Sequence, residues 1–302
     1  MTTYHDPVLA AEVTRLAQGR QRAVDGTVGG GGHSALLVAA GAAVLAVDRD
    51  PAALSAARAR LKGATVTFVE GGFGDDAVLE AVAAHRPDFV LLDLGVSSRQ
   101  LDEDARGFSF RRGVPLDMRM SGVGPTAADL LRDAGEAELI RIFHDYGDER
   151  RARALARCIV GRRERAALLV SDDLVNAIRA TLGPRSGPPD FARLFQAVRI
   201  AVNDELEHLG TALPRLLDAL EPGGILAVIS YHSGEDRLTK HLFREWALRC
   251  ICPREQPTCT CRGRPLGQVT PRRAITAGAS EVAANPRARS ARLRVFRKDD
   301  GR

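Results

Sequence analysis

The stretch Val24-Asp25-Gly26-Thr27-Val28-Gly29-Gly30-Gly31-Gly32-His33-Ser34 decides the fold of this chain. An apolar run ends in an acid, a glycine cluster follows, and an apolar helical sequence begins at Ser34. This order of strand, glycine turn and helix is typical of nucleotide-binding α/β proteins, because glycines let the backbone approach a ligand and a helix start offers free N–H groups. The dinucleotide fingerprint is not met, since Ser34 stands where its third glycine is due.

A second acid follows the next apolar run. Val44–Val47 ends in Asp48, 23 residues after Asp25, and an acid in that place suits a ribose diol. With glycines between two strand-ending acids and no Gly-Lys-[Ser/Thr] phosphate loop, we expect S-adenosylmethionine (SAM). Asp25 would face its ammonium group and Asp48 its ribose, and Gly29 is among the glycines that would let the backbone approach the cofactor. Another nucleotide or phosphate ligand stays open at this point.

Apolar runs and helical stretches alternate through the first hundred residues and resume near the end of the chain. Thr65–Val69, Phe89–Leu92 and Ile225–Ser230 are predicted strands. The alternation predicts an α/β fold with a doubly wound, mostly parallel sheet, whose ligands lie at the carboxyl ends of the strands. The alternating segment Ala291–Phe296 is predicted to be the last strand, at the edge of the sheet.

Residues 105–208 interrupt this pattern, because they contain helical stretches and no convincing strand. One predicted helix, Arg193–Leu217, begins inside this range and ends after it. We therefore expect a discontinuous nucleotide-binding domain of residues 1–104 and 209–302, with residues 105–208 inserted as a mostly helical domain that recognises the substrate.

The charge is concentrated at the end of the chain. The net charge is +5, but residues 240–302 hold 15 basic and 5 acidic side chains. This excess predicts a polyanionic partner, and arginine suits phosphate and bases, although a GC-rich genome would also explain the preference for arginine. No leader or long apolar run is apparent, so we expect a cytoplasmic protein with reduced cysteines and no membrane partner.

Two polar segments at predicted strand ends carry the candidate chemistry. Asp93 ends the fourth strand, and its oxygens could hold a target amine so that the lone pair points at a methyl group, since orientation supplies most of such catalysis. Ser97 and Ser98 are possible helpers, or they cap a turn. Tyr231-His232-Ser233 ends the fifth strand; Tyr231 could stack on a flipped base, and His232 is a candidate base or a structural or RNA-contacting residue.

Four cysteines lie close together as Cys250-x-Cys252 and Cys259-x-Cys261. This spacing differs from the usual zinc pattern of two residues between cysteines. Reduced cysteines in a loop are therefore favoured over a zinc site, and no metal is predicted.

Several segments, in order along nearly the whole chain, resemble one known family. They include Asp25-Gly26-Thr27-x-Gly29-x-Gly31-Gly32-His33-Ser34, Asp48-Arg49-Asp50-Pro51, Asp93-Leu94-Gly95-Val96-Ser97-Ser98-x-Gln100-Leu101-Asp102, Pro115-Leu116-Asp117-Met118-Arg119-Met120, His232-Ser233-x-Glu235-Asp236-Arg237 and Asn285-Pro286-Arg287-x-Arg289-Ser290. The chain thereby resembles the bacterial 16S rRNA cytosine N4-methyltransferases, the MraW or RsmH family.

The resemblance implies a class I, Rossmann-like SAM-dependent methyltransferase fold with an inserted helical domain. It implies SAM as cofactor, 16S rRNA within the small (30S) ribosomal subunit as partner, and methylation of the N4 amine of a decoding-centre cytidine (position 1402). The cofactor positions it implies are Gly31, Gly32, His33, Asp48, Phe73, Asp93 and Gln100. Asp117 and Arg119, in a matching segment, are assigned to substrate binding together with the Tyr231-His232-Ser233 turn.

Alternatives to this function are a methyltransferase that acts on DNA or a small amine, and a non-enzymatic ribosome assembly factor. The latter should lack the acids at the strand ends, which this chain keeps. A monomer and a homodimer are both compatible with the sequence.

Overall fold

The computed structural model describes residues 7–256 and 258–301, apart from the side chains of Ser98 and Arg99. The chain folds as two compact units. Residues 7–95 and 206–301 form the first, which we call the sheet unit, and residues 96–205 form the second, the helical unit. The boundaries thus fall earlier than the expected 104/105 and 208/209. None of the described helices combines the length and apolar character needed to cross a membrane.

The described part of the sheet unit contains eight strands. They are β1 (Arg22–Asp25), β2 (Ala43–Asp48), β3 (Val66–Glu70), β4 (Phe89–Asp93), β5 (Ile225–Ser230), β6 (Gly267–Val269), β7 (Ile275–Thr276) and β8 (Arg292–Lys298). Their order is β3-β2-β1-β4-β5-β8-β6, with β7 also paired to β8. Strands β1 to β5 are parallel, and β8 is antiparallel to its neighbours. The prediction of a mostly parallel sheet is confirmed.

The helices of the described residues are numbered along the chain. They are α1 (Ala10–Ala17), α2 (Gly32–Ala39), α3 (Pro51–Arg60), α4 (Asp76–His85), α5 (Ser98–Asp102), α6 (Ala127–Asp133), α7 (Glu136–Arg141), α8 (Ala152–Arg163), α9 (Ser171–Leu182), α10 (Pro188–Val202), α11 (Glu205–Ala219), α12 (Ser233–Trp246) and α13 (Ala279–Ala284). A π-helical turn, Ile142–Tyr146, continues α7, and short 3₁₀ turns lie at Asp104–Arg106 and Pro286–Ser290.

Both faces of the sheet are buried, which explains the continuous apolar runs of its strands. On β4, Phe89 and Leu91 pack on one face with apolar residues of α1, α2 and α3. Val90 and Leu92 pack on the other face with residues of α4, α11 and α12. Helices on both sides of a parallel sheet make the doubly wound architecture. The helical unit has its own apolar core, formed mainly by α6 to α10.

The predicted edge position of the last strand is wrong. The outer side of β8 pairs with β6 through Val269 and Phe296, and with β7 through Ile275 and Leu293. Strands of three and two residues are too short to produce a recognisable alternation in the sequence.

The predicted helix Arg193–Leu217 is wrong as a single element, because α10 ends at Val202 and α11 begins at Glu205. Asp204 between them has a left-handed backbone with φ of 48°. The Asn203 amide donates to the carbonyl of Met118 and accepts from the N–H of Met120. A tertiary contact therefore accompanies the break, and no glycine or proline marks it in the sequence.

Candidate active site

The carboxyl ends of four parallel strands bring the predicted acids to one edge of the sheet unit. In the register, Asp25 of β1 pairs with Ala46 of β2 and Leu91 of β4. Asp48 and Asp93 lie two residues beyond those partners, at the ends of β2 and β4. Tyr231 directly follows the last residue of β5. Ligands of doubly wound sheets bind at this edge.

The glycine turn between β1 and α2 needs its glycines for backbone geometry and packing. Gly29 and Gly31 have positive φ, 50° and 78°, which side chains disfavour. A Cβ on Gly31 would lie 3.3 Å from Ala57 of α3, and one on Gly32 would lie 3.3 Å from Pro7. The N–H of Gly29 donates to Asp48 Oδ2 at 2.8 Å. The turn is thereby tied to the end of β2.

Asp25, which the sequence analysis expects to meet an ammonium group, lies buried behind the glycine turn. Its side chain has no solvent exposure. Oδ2 accepts from the Ser34 hydroxyl at 2.6 Å, and Oδ1 accepts from the Thr27 N–H at 3.3 Å. Burial raises the pKa of Asp25, although the charge of His33 and the hydrogen bonds from Ser34 and Thr27 oppose this. Asp25 therefore holds the glycine turn from behind.

Asp48 is half-buried and reaches the strand-end edge. Its carboxylate accepts from the N–H groups of Gly29 and Asp50, at 2.8 and 2.9 Å. Burial raises the pKa of Asp48 to about 6, even though both hydrogen bonds favour the ionised form. An acceptor of this kind, exposed on one side, fits a pair of ribose hydroxyls.

Asp93 is the centre of a hydrogen-bond network. Tyr231 Oη donates to Asp93 Oδ1 at 2.8 Å, and the Asp93 N–H donates to the Thr27 hydroxyl at 2.7 Å. His33 Nδ1 lies 3.5 Å from Asp93 Oδ2. The side chain keeps 23% exposure. Burial raises the pKa of Asp93, with the charge of His33 and the bond from Tyr231 acting in the opposite direction. Burial also raises the pKa of Tyr231, so its hydroxyl stays a donor.

A main-chain contact sets the tautomer of His33. Its Nε2 lies 2.9 Å from the carbonyl oxygen of Val8, which can only accept, so Nε2 carries a proton. Nδ1 is therefore the ring nitrogen that faces Asp93 Oδ2, at 3.5 Å. Neither Val8 nor Thr27 stood out in the sequence, since one acts through its backbone and the other is a common turn residue.

Phe73 lies in the loop that follows β3. It is half-buried, and its Cβ would lie 3.4 Å from a Cβ on Gly26 in the glycine turn. The N–H of Gly71 donates to the carbonyl of Asp48. Phe73, one of the cofactor positions that the resemblance implies, is thus on the same edge as Asp48, the predicted ribose acceptor.

Other predicted site residues belong to the helical unit, where they hold local structure. Ser97 N–H donates to the Gln100 side chain at 2.9 Å, and Gln100 N–H donates back to the Ser97 hydroxyl at 3.2 Å. These bonds correspond to the second of the two roles considered for Ser97, in which it caps a turn. Asp117 and Arg119 form a two-bond ion pair of 2.8 and 2.7 Å. Burial tends to raise the pKa of Asp117, but the hydrogen bonds from Arg119 outweigh it, so the pKa of Asp117 is lowered.

His232 occupies the N-cap of α12. Its Nδ1 accepts from the Glu235 N–H at 3.4 Å, and its Nε2 lies 3.1 Å from Glu235 Oε1 at an angle outside that of a hydrogen bond. Glu235 also accepts from the Tyr231 N–H at 2.9 Å. His232 thus makes a capping contact that holds the turn carrying Tyr231. Ser233 begins α12 and is exposed.

A basic cleft of about 480 Å³ opens beside this turn. Its lining residues include Tyr231, His232, Ser233, Asp236, Arg237, Lys240, Arg289 and Arg292. The carboxylate of Asp236 accepts two hydrogen bonds from the buried Arg294, at 2.7 and 3.1 Å, so the acid on the cleft wall is already neutralised. Lys240 was not singled out in the sequence, because only the fold places it beside Arg289.

The model of the MraW methylase family matches residues 2–299 of this chain. The chain belongs to this family. Proteins named ribosomal RNA small subunit methyltransferase H are similar to it over almost their whole length. The one from Gemmatimonas aurantiaca is 51% identical, covering 98% of this chain and 95% of the relative. Those from Anaeromyxobacter dehalogenans and Heliobacterium modesticaldum are 47% and 45% identical, covering 97% and 99% of this chain and 97% and 99% of the relatives.

This MraW methylase is a SAM-dependent methyltransferase, and the predictions of enzyme class and cofactor are confirmed. The residues present fit the cofactor. Gly29 and Gly30 keep part of the glycine turn exposed, and the half-buried carboxylate of Asp48 accepts hydrogen bonds at the end of β2. An aromatic ring lies on the same edge.

Proposed function

We propose that this methylase modifies the exocyclic N4 amine of a cytidine in 16S rRNA of the small ribosomal subunit. The observation that carries the proposal is the Asp93 carboxylate, which is partly exposed at the strand-end edge and oriented by Tyr231 and Thr27. An amine conjugated to a pyrimidine ring is a poor nucleophile, so its orientation by a fixed acceptor matters most. The names of the relatives support rRNA as the substrate class.

The sheet unit binds the cofactor through the edge that carries Asp48. Bound SAM supplies an electrophilic methyl group on a sulfonium. Asp48 accepts hydrogen bonds from the ribose hydroxyls, and Phe73 packs against the adenine. The glycine turn through Gly31 and Gly32 lies against the methionine part. Asp25 and Ser34 act through this turn, because their side chains hold it and are buried.

Asp93 accepts a hydrogen bond from one N4 proton of the cytosine. This contact would turn the N4 lone pair toward the methyl group that SAM would supply. The methylated nitrogen then releases a proton to Asp93, whose raised pKa and contact with His33 suit it to receive one. Tyr231 keeps the carboxylate in place.

The basic cleft beside Tyr231 binds the phosphates that flank the target nucleotide. Arg237, Lys240 and Arg289 lie on its wall and can neutralise several phosphates. The helical unit would add further rRNA contacts through its substrate-recognition role. The natural partner would be the 30S subunit in the cytoplasm, with the enzyme acting as a monomer or homodimer.

The test compares nucleosides from small-subunit rRNA by mass spectrometry. A strain that lacks the gene should lose N4-methylated cytidine, and the wild-type gene should restore it. Asp93→Asn should fail to restore it, whereas Glu70→Gln, at the exposed end of β3, should succeed. Purified enzyme is then offered 30S subunits, DNA and small amines with labelled SAM. An unchanged nucleoside profile in the deletion strain, or methylation of DNA or small amines in preference to subunits, would refute the proposal.

A further inference from the structure

The four thiols of Cys250, Cys252, Cys259 and Cys261 converge in the segment between α12 and β6. All four Sγ atoms lie within 4.8 Å of one another. The Sγ atom of Cys259 lies 3.5 Å from that of Cys261 and 3.7 Å from that of Cys250. The Sγ atoms of Cys250 and Cys261 are 3.8 Å apart, and none of the four is in a disulfide. The proposed function does not use this cluster.

These separations match a tetrahedral metal site. Sulfurs that each lie about 2.3 Å from a central zinc ion are about 3.8 Å from one another, the edge of the tetrahedron. A disulfide would bring two sulfurs to about 2.05 Å. The spacing of one residue within each cysteine pair argued against zinc in the sequence, but the fold brings all four thiols together.

The loop around the cluster has little else to hold it. Among its described residues, 250–264 include no helix or strand, and none of them is buried. Arg262 ties the loop to the end of α12 through the carbonyls of Glu245 and Leu248. A segment without an apolar core needs a crosslink or a metal to keep one conformation.

A backbone N–H group points at one of the sulfurs. The Ile251 N–H donates to Cys261 Sγ at 3.4 Å. Donors of this kind, one step removed from the metal, orient thiolate ligands and are a regular part of metal sites.

We propose that Cys250, Cys252, Cys259 and Cys261 bind one zinc ion in a closed, structural site. Four thiolates in tetrahedral arrangement select zinc or iron among common metals. All four positions are filled by protein ligands, so the ion would order the loop rather than take part in the methyl transfer.

The test uses the full chain, purified without a polyhistidine tag or chelator under reducing conditions. Elemental analysis should find about one zinc per chain, and X-ray absorption at the zinc edge should show four sulfur neighbours at about 2.3 Å. Cys250→Ser and Cys259→Ser should each lower the zinc content severalfold. Cys158→Ser should keep it, because Cys158 lies on α8 and its thiol contacts the Ala177 carbonyl.

The zinc content and the SAM affinity are measured on the same samples, so that SAM affinity serves as a control for folding. Retained SAM affinity in the two serine variants shows that the sheet unit is folded, so a loss of zinc then reports on the site alone. If the variants do not fold, the wild-type stoichiometry and sulfur count still decide. The proposal is wrong if the wild-type protein holds no zinc, holds iron instead, shows disulfides among these cysteines, or keeps its zinc in both variants.

Discussion

The Tyr231 hydroxyl donates a hydrogen bond of 2.8 Å to Asp93 Oδ1, and so joins the end of β5 to the end of β4 across 138 residues of sequence. Thr27 holds the main chain of Asp93, and His33 faces its other oxygen. Three strand ends therefore fix one carboxylate. The hydrogen bond gives Tyr231 a positioning contact with Asp93, and the base stacking expected of its ring stays a prediction.

We expect Tyr231→Phe to lower the turnover number while leaving SAM affinity almost unchanged. A hydrogen bond to a charged group contributes about 1.5–3 kcal/mol, which corresponds to roughly 10- to 100-fold in rate. The bond also lowers the pKa of Asp93, so its loss should shift the acid limb of the rate profile to higher pH. Single-turnover kinetics on 30S subunits across pH measure both effects.

Tyr146→Phe is the matched control for this variant. The Tyr146 hydroxyl accepts from Arg141 in the helical unit, a hydrogen bond separate from the one that Asp93 receives from Tyr231. Its removal should change neither the rate nor the pH profile. A Tyr231→Phe enzyme with a normal rate and an unshifted acid limb would show that the hydroxyl has no part in orienting Asp93.

We expect SAM affinity to fall as the pH drops below about 6. Asp48 has its pKa raised to about 6, and only the ionised carboxylate accepts hydrogen bonds from both ribose hydroxyls. Above pH 7 the group is ionised and affinity is maximal; below pH 6 affinity should decrease about tenfold per pH unit, because binding must first remove a proton. Calorimetric titrations between pH 5 and 8 provide the measurement.

Asp48→Asn should bind SAM weakly and with no such pH dependence. Glu70→Gln is its control, because Glu70 ends the neighbouring strand but is exposed and should leave the titration unchanged. A pH dependence that persists in Asp48→Asn would assign the effect to another group.

We expect Ser34→Ala to destabilise the fold. The Ser34 hydroxyl is fully buried and donates to the buried carboxylate of Asp25 at 2.6 Å. Removing the donor leaves a buried acceptor without that partner, which costs about 1–3 kcal/mol. The free energy of unfolding from urea titration tests this. Ser55→Ala, on the exposed face of α3, should stay within about 0.5 kcal/mol of the wild type; an equal effect of both changes would contradict the role given to Asp25.

We expect Lys240→Ala and Arg289→Ala to weaken binding to 30S subunits and leave SAM affinity intact. Each phosphate contact that is lost should reduce the slope of log affinity against log salt by about 0.7–0.9. Filter binding at several salt concentrations measures this slope. Arg60→Ala removes an equal charge from the end of α3, outside the cleft, and should leave the slope unchanged. If all three variants lowered the slope equally, the cleft would have no specific role in binding, and only the overall charge of the protein would matter.

Local sequence patterns were enough to predict the parallel strands β1 to β5 and the edge where their carboxyl ends lie. An apolar run that ends in an acid is a local signal, and it located Asp25, Asp48 and Asp93 at the ends of β1, β2 and β4. Proline after a capping acid marked the start of α3, where Asp50 accepts from the Ala52 N–H. Local patterns did not predict contacts between distant segments. The helix break at Asp204, which the sequence analysis did not predict, is an example.

The amino-acid sequence by itself determined the α/β class, the strands β1 to β5 of the parallel sheet, the family and hence the cofactor. Only the tertiary structure decided which acid is buried behind the glycine turn, which hydroxyl orients Asp93, and that the thiols of Cys250 and Cys259 meet. The physical reason is the range of the interactions. Periodicity and turn chemistry act between neighbours in sequence, whereas burial and side-chain hydrogen bonds depend on strand register and packing between residues far apart in the chain.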